Sequence, residues 1–313
     1  MFGFGKNKST VSFPGPFYVV INEHRSSFLK RILEIEGRTP IEQDWEEVKN
    51  LKKIIFSGYL EALQNGIPAT QTTFFIDEQT GSSIIEQAVE AGVTYCLAVE
   101  KSGQRLLDFE HGQEYVAHIE ALKPVFIKAL VRYNPRDPEA DRMLQQGKLK
   151  EITAVAREHN TKLIIEVRIP ATPEQMVQVD NDDRRYDLEI RPNLATQTVS
   201  ELRAGGADPD IWHIEGFELP VHYENVVEQI QMNDRENVGM VIMSRGASFP
   251  QVESWLTVGA GVDGIIGFSV GRTAFQNAIK QFRAGEKGGE DGAHQIAQNF
   301  IHFYEIFTKA RGN

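Results

Sequence analysis

Two charged residues interrupt otherwise apolar runs: Lys128 within Val125-Phe126-Ile127-Lys128-Ala129-Leu130-Val131, and Glu166 within Leu163-Ile164-Ile165-Glu166-Val167. A charge in such a setting is costly to desolvate unless it is paired. The two residues read in either of two ways. They form a buried ion pair, or they combine a desolvated lysine near other cations, its pKa lowered, with a carboxylate able to move protons. His213 stands in Asp210-Ile211-Trp212-His213-Ile214-Glu215-Gly216, two residues before Glu215 and so on the same face of an extended strand. It reads as a structural histidine or as an acid, base or ligand.

A second kind of chemistry is suggested by Ser244-Arg245-Gly246 and by Gly267-Phe268-Ser269-Val270-Gly271-Arg272. Glycines let a backbone approach an anion, helix-start N–H groups point at it, and arginine adds fixed charge. The plainer reading is a pair of glycine turns with surface arginines. The polar run Asp180-Asn181-Asp182-Asp183-Arg184-Arg185 lacks the central glycine and terminal glutamate of a calcium loop and reads as a solvated excursion or lid. Cys96, the single cysteine, lies in an apolar run and reads as a buried, inert thiol.

These residues need elements to hold them, and the chain supplies a repeating pattern. Short β-rich runs occur at 17–21, 73–76, 95–99, 125–132, 162–167, 211–214, 239–243 and 264–267. Helical patterns fall between them, among them 41–64, 82–91, 140–158, 196–204, 223–233, 249–259 and 272–283. Eight alternations imply a parallel sheet closed on itself, a single (β/α)8 TIM barrel, with residues 293–310 as an extra C-terminal helix over a barrel end or a partner subunit. An open doubly wound sheet is the alternative. Against it, Asn22-Glu23-His24-Arg25 after the first strand lacks the glycine-rich turn of a dinucleotide fold.

Barrel closure would bring the strand ends to one mouth: Glu23, His24 and Arg25, Asp77 and Glu78, Glu100 and Lys101, Lys128 and Arg132, Glu166 and Arg168, His213 and Glu215, Ser244 and Arg245, and Ser269 with Arg272. The catalytic candidates are Lys128, Glu166, His213 and Glu23. Arg25, Lys101, Ser244, Arg245, Gly246, Gly271 and Arg272 are the candidates for substrate or phosphate contact. No cofactor and no metal site are expected; a divalent metal enters only in an alternative, held by some of Glu23, His24, Asp77, Glu100 and His213.

The chain has 313 residues, 41% hydrophobic and 25% charged, which suits one large core spanning 17–313. Its formal charge of −11 argues against nucleic acid, whose binding requires a basic face. No apolar stretch suits a signal or a spanning helix, so a cytoplasmic protein without membrane contact is expected, with a homo-oligomer as a further option. Residues 1–16 and the glycine-rich 284–292 read as flexible segments.

Further stretches carry a family resemblance: His24-Arg25-Ser26-Ser27-Phe28, Ala98-Val99-Glu100-Lys101-Ser102-Gly103-Gln104, Lys128-Ala129-Leu130-Val131-Arg132-Tyr133-Asn134-Pro135, Pro209-Asp210-Ile211-Trp212 with Ile214-Glu215-Gly216, Arg191-Pro192 and Val270-Gly271-Arg272-Thr273. From about Phe17 to Phe282 the chain resembles the class I-like aldolase domain at the carboxyl end of bifunctional 5-dehydro-2-deoxygluconokinases of inositol catabolism, and more distantly tagatose-1,6-bisphosphate aldolase. The resemblance implies cleavage of a keto sugar acid phosphate into a three-carbon ketone phosphate and an aldehyde. It also implies Lys128 as a substrate-contacting lysine, Glu166 as acid/base, and Arg25, Ser244, Gly246 and Arg272 as substrate or phosphate contacts.

Two positions depart from that family. His213 stands where it has its Schiff-base lysine, and Glu23 where it usually has aspartate. Imidazole cannot lose two hydrogens to form an imine, so the standard mechanism is closed at position 213. Three routes remain: relocation of the imine to Lys128 with His213 or Glu166 moving protons, a metal that polarises the carbonyl, or a catalytically silent barrel that binds a sugar phosphate.

Overall fold

The computed structural model describes residues 15–312. The flexible segment expected at 1–16 lies, except for its last two residues, outside them. In chain order the elements are β1 (Phe17–Ile21), α1 (Ser26–Arg31), α2 (Glu42–Gln64), β2 (Thr72–Ile76), α3 (Glu78–Glu90), β3 (Tyr95–Ala98), α4 (Tyr115–Leu122), β4 (Phe126–Arg132) and α5 (Glu139–Glu158). They continue with β5 (Lys162–Arg168), α6 (Pro173–Gln178), α7 (Asp183–Arg185), α8 (Arg191–Ala204), β6 (Ile211–Glu215), α9 (Pro220–Gln231), β7 (Gly239–Met243), α10 (Phe249–Ala260), β8 (Ile265–Val270), α11 (Arg272–Arg283) and α12 (Gly289–Arg311). The strands form a closed parallel barrel in sequence order, with β8 returning to β1. The (β/α)8 architecture with its extra helix is therefore present.

Period-two alternation splits each strand between two cores. Phe17, Val19, Ile21, Phe75, Cys96, Phe126, Ile164, Ile211, Val241 and Ile266 fill the barrel interior. Their neighbours Tyr18, Val20, Phe74, Ile76, Ile127, Ile165, Trp212 and Phe268 face the surrounding helices. Continuing the inner rows of β1 to β6 towards the carboxyl end replaces apolar residues with charged or polar ones. Ile21 leads to Glu23, Phe75 to Asp77, Cys96 to Glu100, Phe126 to Lys128, Ile164 to Glu166 and Ile211 to His213. The site is thus the polar top layer of an apolar plug.

The seam between β1 and β8 is tight: a Cβ on Gly267 would lie 1.9 Å from the Phe17 carbonyl oxygen. α12 covers the outside of this seam. Tyr304 and Phe307 pack on Tyr18, with ring centroids 5.0 and 5.9 Å away, and Phe300 and Phe307 lie 6.1 and 5.6 Å from Phe268. α12 also presses against α2 closely enough that a Cβ on Gly58 would meet the Ala293 carbonyl oxygen at 2.6 Å.

Three local features differ from the sequence expectations. Helix α4 lies in a stretch for which no helical pattern was marked. Residues 289–292, expected to be flexible, form the first turn of α12, where the Asp291 carboxylate accepts from the Gly288 N–H. Just before α8 a π-helical turn spans Tyr186–Ile190. Among the described residues no helix is long and apolar enough to cross a membrane.

Candidate active site

At the floor of the mouth Lys128 is completely buried and holds three carboxylates. Its Nζ lies 2.7 Å from Glu100 Oε1 and 3.0 Å from Glu166 Oε2, and it donates to Glu23 Oε1. Burial opposes the ammonium charge, but the three carboxylates outweigh it and lift the Lys128 pKa well above the ordinary value. This corrects the expectation of a lowered pKa near other cations. The amine is held protonated behind acids, which removes the basis for Lys128 as the relocated imine lysine.

The acids around Lys128 are driven apart. Burial, with help from Glu166 and Glu100, raises the Glu23 pKa from 4.5 to about 8 despite the Lys128 charge. For Glu166 the desolvation is overcome by Lys128 and by the nearby His213 ring, so its carboxyl is pushed well below the usual range. A protonated acid and an ionised carboxylate therefore stand side by side near neutral pH. His213 is fully buried beneath them. Its Nε2 is 2.6 Å from Ser269 Oγ and its Nδ1 is 3.5 Å from Glu166 Oε2. Burial lowers its pKa and that of His24, and nearby Arg272 and Arg168 also depress His24.

Above this floor opens a cavity of about 260 Å³, whose walls include Glu23, His24, Arg25, Glu100, Lys101, Glu166 and Arg272. A second, about 410 Å³, includes Asp183, Tyr186, Asp187, Glu215 and Arg245. Arg31, Arg132, Arg168 and Arg272 line both. Arg168 Nε is 3.3 Å from Glu166 Oε1, whereas Arg31, Arg132 and Arg272 have no carboxylate within 4.0 Å among the described residues. Burial and the charges of Arg31 and Arg168 lower the Arg272 pKa to about 10. Among the described residues, buried Glu23 Oε2, Glu100 Oε2 and His24 Nδ1 have no hydrogen-bond partner. Repelling cations and unsatisfied buried polar atoms in one cavity call for an anionic, hydrogen-bonding ligand.

Some of the residues expected at a phosphate contact lie together. Gly246 has φ +73°, and any Cβ there would meet Arg272 Nη2 at 2.6 Å, so the turn lets that guanidinium lie against the loop after β7. A cleft of about 250 Å³ is lined there by Gly246, Arg272, Thr273 and Lys280. Gly271 abuts His24, at 3.1 Å from a notional Cβ to His24 Cε1. Ser244 is buried, its N–H donating to the Ser269 carbonyl at 3.2 Å. Lys101 is exposed on the rim.

Two expected anion contacts have other partners. Arg245 donates to both oxygens of Asp187, lies 3.7 Å from Glu215 Oε1 and stands over the Trp255 ring at 5.9 Å. The Asp187 carboxylate, brought in by the π-helical turn, already occupies its fork. Arg25 is buried and donates to Glu110 Oε2 at 2.5 Å and to the Glu100 carbonyl at 2.7 Å, so it fastens the wall of the cavity. The alternative metal set is likewise dispersed into separate pairings. Asp77 accepts from Lys52 at 2.5 Å, Glu23 and Glu100 pair with Lys128, and His213 bonds Ser269. Cys96 is buried in the barrel, which pushes its thiol well above the ordinary pKa, as an inert reading requires.

Arg31, Arg132 and Arg168 are not among the ligand candidates named from the sequence. A signal existed for two of them: Arg132 and Arg168 stand side by side in the register of β4 and β5, a like-charge pairing that is unfavourable without an anion. Arg31 ends the short α1 and carried no pattern of its own.

The chain belongs to the DUF2090 family. That family, described as an uncharacterized protein conserved in bacteria, matches residues 16–311. No curated protein matches the chain. Among solved structures it is similar to a fructose-bisphosphate aldolase from Slackia heliotrinireducens DSM 20476, with TM-score 0.52 and 11% identity, over 91% of this chain and 86% of that one. It is also similar to Cgl0159 from Corynebacterium glutamicum, with TM-score 0.51 and 14% identity, over 92% and 86% of the respective chains. At these identities the likeness extends to the barrel fold.

Proposed function

We propose that the chain is an aldolase-type carbon–carbon lyase acting on a phosphorylated keto sugar or sugar acid, such as 5-dehydro-2-deoxygluconate 6-phosphate. The observation that carries this reading is the stacking of two layers. Four arginines surround the mouth, and beneath them lies a protonated Glu23 beside an ionised Glu166. The arginines suit the substrate's anionic ends, Arg272 and the Gly246 turn taking the phosphate, with Lys101 at the rim.

The carboxyl pair suits the bond cleavage. Glu166 accepts the proton of the hydroxyl on the carbon β to the ketone; that oxygen forms the new carbonyl as the carbon–carbon bond breaks. The released electron pair moves onto the ketone oxygen as an enolate, which Glu23 meets with its proton. Protonated Glu166 then delivers its proton to the carbon of the enol while the enol hydroxyl returns its proton to Glu23, which completes the three-carbon ketone phosphate and resets both acids. In this reading Lys128 acts as a fixed cation that separates the two carboxyl pKa values, and His213 orients Glu166. No step is routed through a cofactor. The setting is cytoplasmic, with no nucleic-acid or membrane partner and with self-association as an option.

The test is a coupled assay for triose phosphate with the keto sugar acid phosphate as substrate. Turnover that Glu166→Gln lowers by about 10²–10⁴-fold supports the assignment; absence of turnover in the folded wild-type protein overturns it. The buried amine at Lys128 favours one other reading, a silent phosphosugar-binding barrel, which calorimetric binding without cleavage would establish. Borohydride with dihydroxyacetone phosphate is expected to leave no adduct on Lys128, as judged by mass spectrometry.

A further inference from the structure

We propose that Glu78, His111 and His118 form a site for one divalent transition-metal ion of the zinc class, outside the mouth. Glu78 opens α3, His111 ends the return leg of the loop after β3, and His118 lies in α4. His111 Nε2 is 3.0 Å from Glu78 Oε2, and His118 Nδ1 is 2.8 Å from the same oxygen. The three donor groups all lie within 4.8 Å of one another, each partly buried.

The donors are already gathered as one ion requires. Tetrahedral ligation at about 2.0–2.2 Å places donor atoms about 3.3 Å apart, so the two histidine–carboxylate spacings need to open by only a few tenths of an ångström. The two imidazoles stack face to face, with centroids 3.5 Å apart and planes 5° from parallel. Parallel rings cannot both aim an in-plane nitrogen at one ion, so ion binding requires one imidazole to turn out of the stack by a side-chain rotation. A small void of about 10 Å³ beside them, lined also by Arg25 and Glu110, has room on the order of one ion or water. Two imidazoles and a carboxylate, with the fourth position left to water, make a borderline donor set that selects zinc over magnesium or calcium.

The ion would tie the start of α3 to the loop after β3. That loop returns through the Glu100–Phe109 bridge, and its Glu110 holds Arg25, which in turn grips the Glu100 carbonyl. The site would thus brace the cavity wall without entering the reaction.

The experiment is zinc titration of chelator-treated full-length protein by calorimetry, with bound metal counted by elemental analysis after dialysis and the visible spectrum recorded for the cobalt form. One equivalent per chain is expected. Affinity should fall by at least about a hundredfold in His111→Ala/His118→Ala and in the near-isosteric Glu78→Gln. It should be unchanged in His294→Ala/His302→Ala, two exposed histidines that also face glutamates. Failure of the wild type to retain one equivalent overturns the proposal. Weak multiple binding that all the histidine variants reduce alike, an adventitious ion only, does so too. Loss of zinc in Glu23→Gln or His213→Ala, with retention in Glu78→Gln, would move the ion to the mouth and equally overturn it.

Discussion

At the scale of residues, the site is organised by one cation among three acids. Replacing Lys128 by Met leaves Glu23, Glu100 and Glu166 buried without their shared partner. Denaturant melts are expected to show a loss of about 3–5 kcal/mol, together with loss of cleavage. The pH dependence follows from Glu23. Its pKa is raised from 4.5 to about 8 in the folded chain, so the stability linked to its proton is fully present below 4.5 and is lost as pH rises through about 8. Glu166 runs the other way, contributing stability above its ordinary value that is lost on acidification. A kcat/KM profile should therefore fall above about pH 8, and Glu23→Gln should flatten the corresponding fall in melting temperature. For the ring of arginines, Arg168→Ala and Arg272→Ala should each raise KM for a phosphorylated substrate by about ten- to a hundredfold, as expected for charge-assisted bonds of about 1.5–3 kcal/mol. Calorimetry that finds no change in anion affinity would count against the ring as the anion site.

At the scale of elements, the strands were the most legible part of the sequence, because each is a short apolar run closed by a polar residue. β1 and β7 begin and end where the pattern places them, and the other strands differ by one to a few residues at an end. Helix α4 was harder to read, since its eight residues follow a loop that borrows its order from the Glu100–Phe109 bridge. The site was half legible. Lys128 and Glu166 announced themselves by interrupting apolar runs, but their partners come from other strands, and Glu23 lies 105 positions away from Lys128. The partner of Arg245 is not legible in the sequence, because Asp187 lies 58 positions earlier, on a π-helical turn with no sequence cue. The packing of α12 gives a direct test: Phe300 is fully buried, and Phe300→Ala should cost about 3–5 kcal/mol in a thermal or denaturant melt.

At the scale of the whole molecule, charge is segregated. The chain carries −11 overall, yet four arginines share the walls of its mouth. The net charge of the molecule repels anions while the arginines of the mouth attract them, which suits a small multiply charged ligand better than a polyanion. An unphosphorylated analogue of the substrate should lose at least about a hundredfold in kcat/KM, the equivalent of one or two lost charge-assisted contacts. The seam between β1 and β8 has a consequence for biosynthesis. The strand that completes the ring and the helix that clasps it occupy residues 265–311, whereas the strand they must meet occupies residues 17–21. During translation the first strand therefore waits with one edge unpaired, and the barrel becomes resistant to proteolysis only when the last helix has left the ribosome. A stalled nascent chain ending before residue 265 should be cut rapidly by protease, and the 313-residue chain released from the ribosome should not.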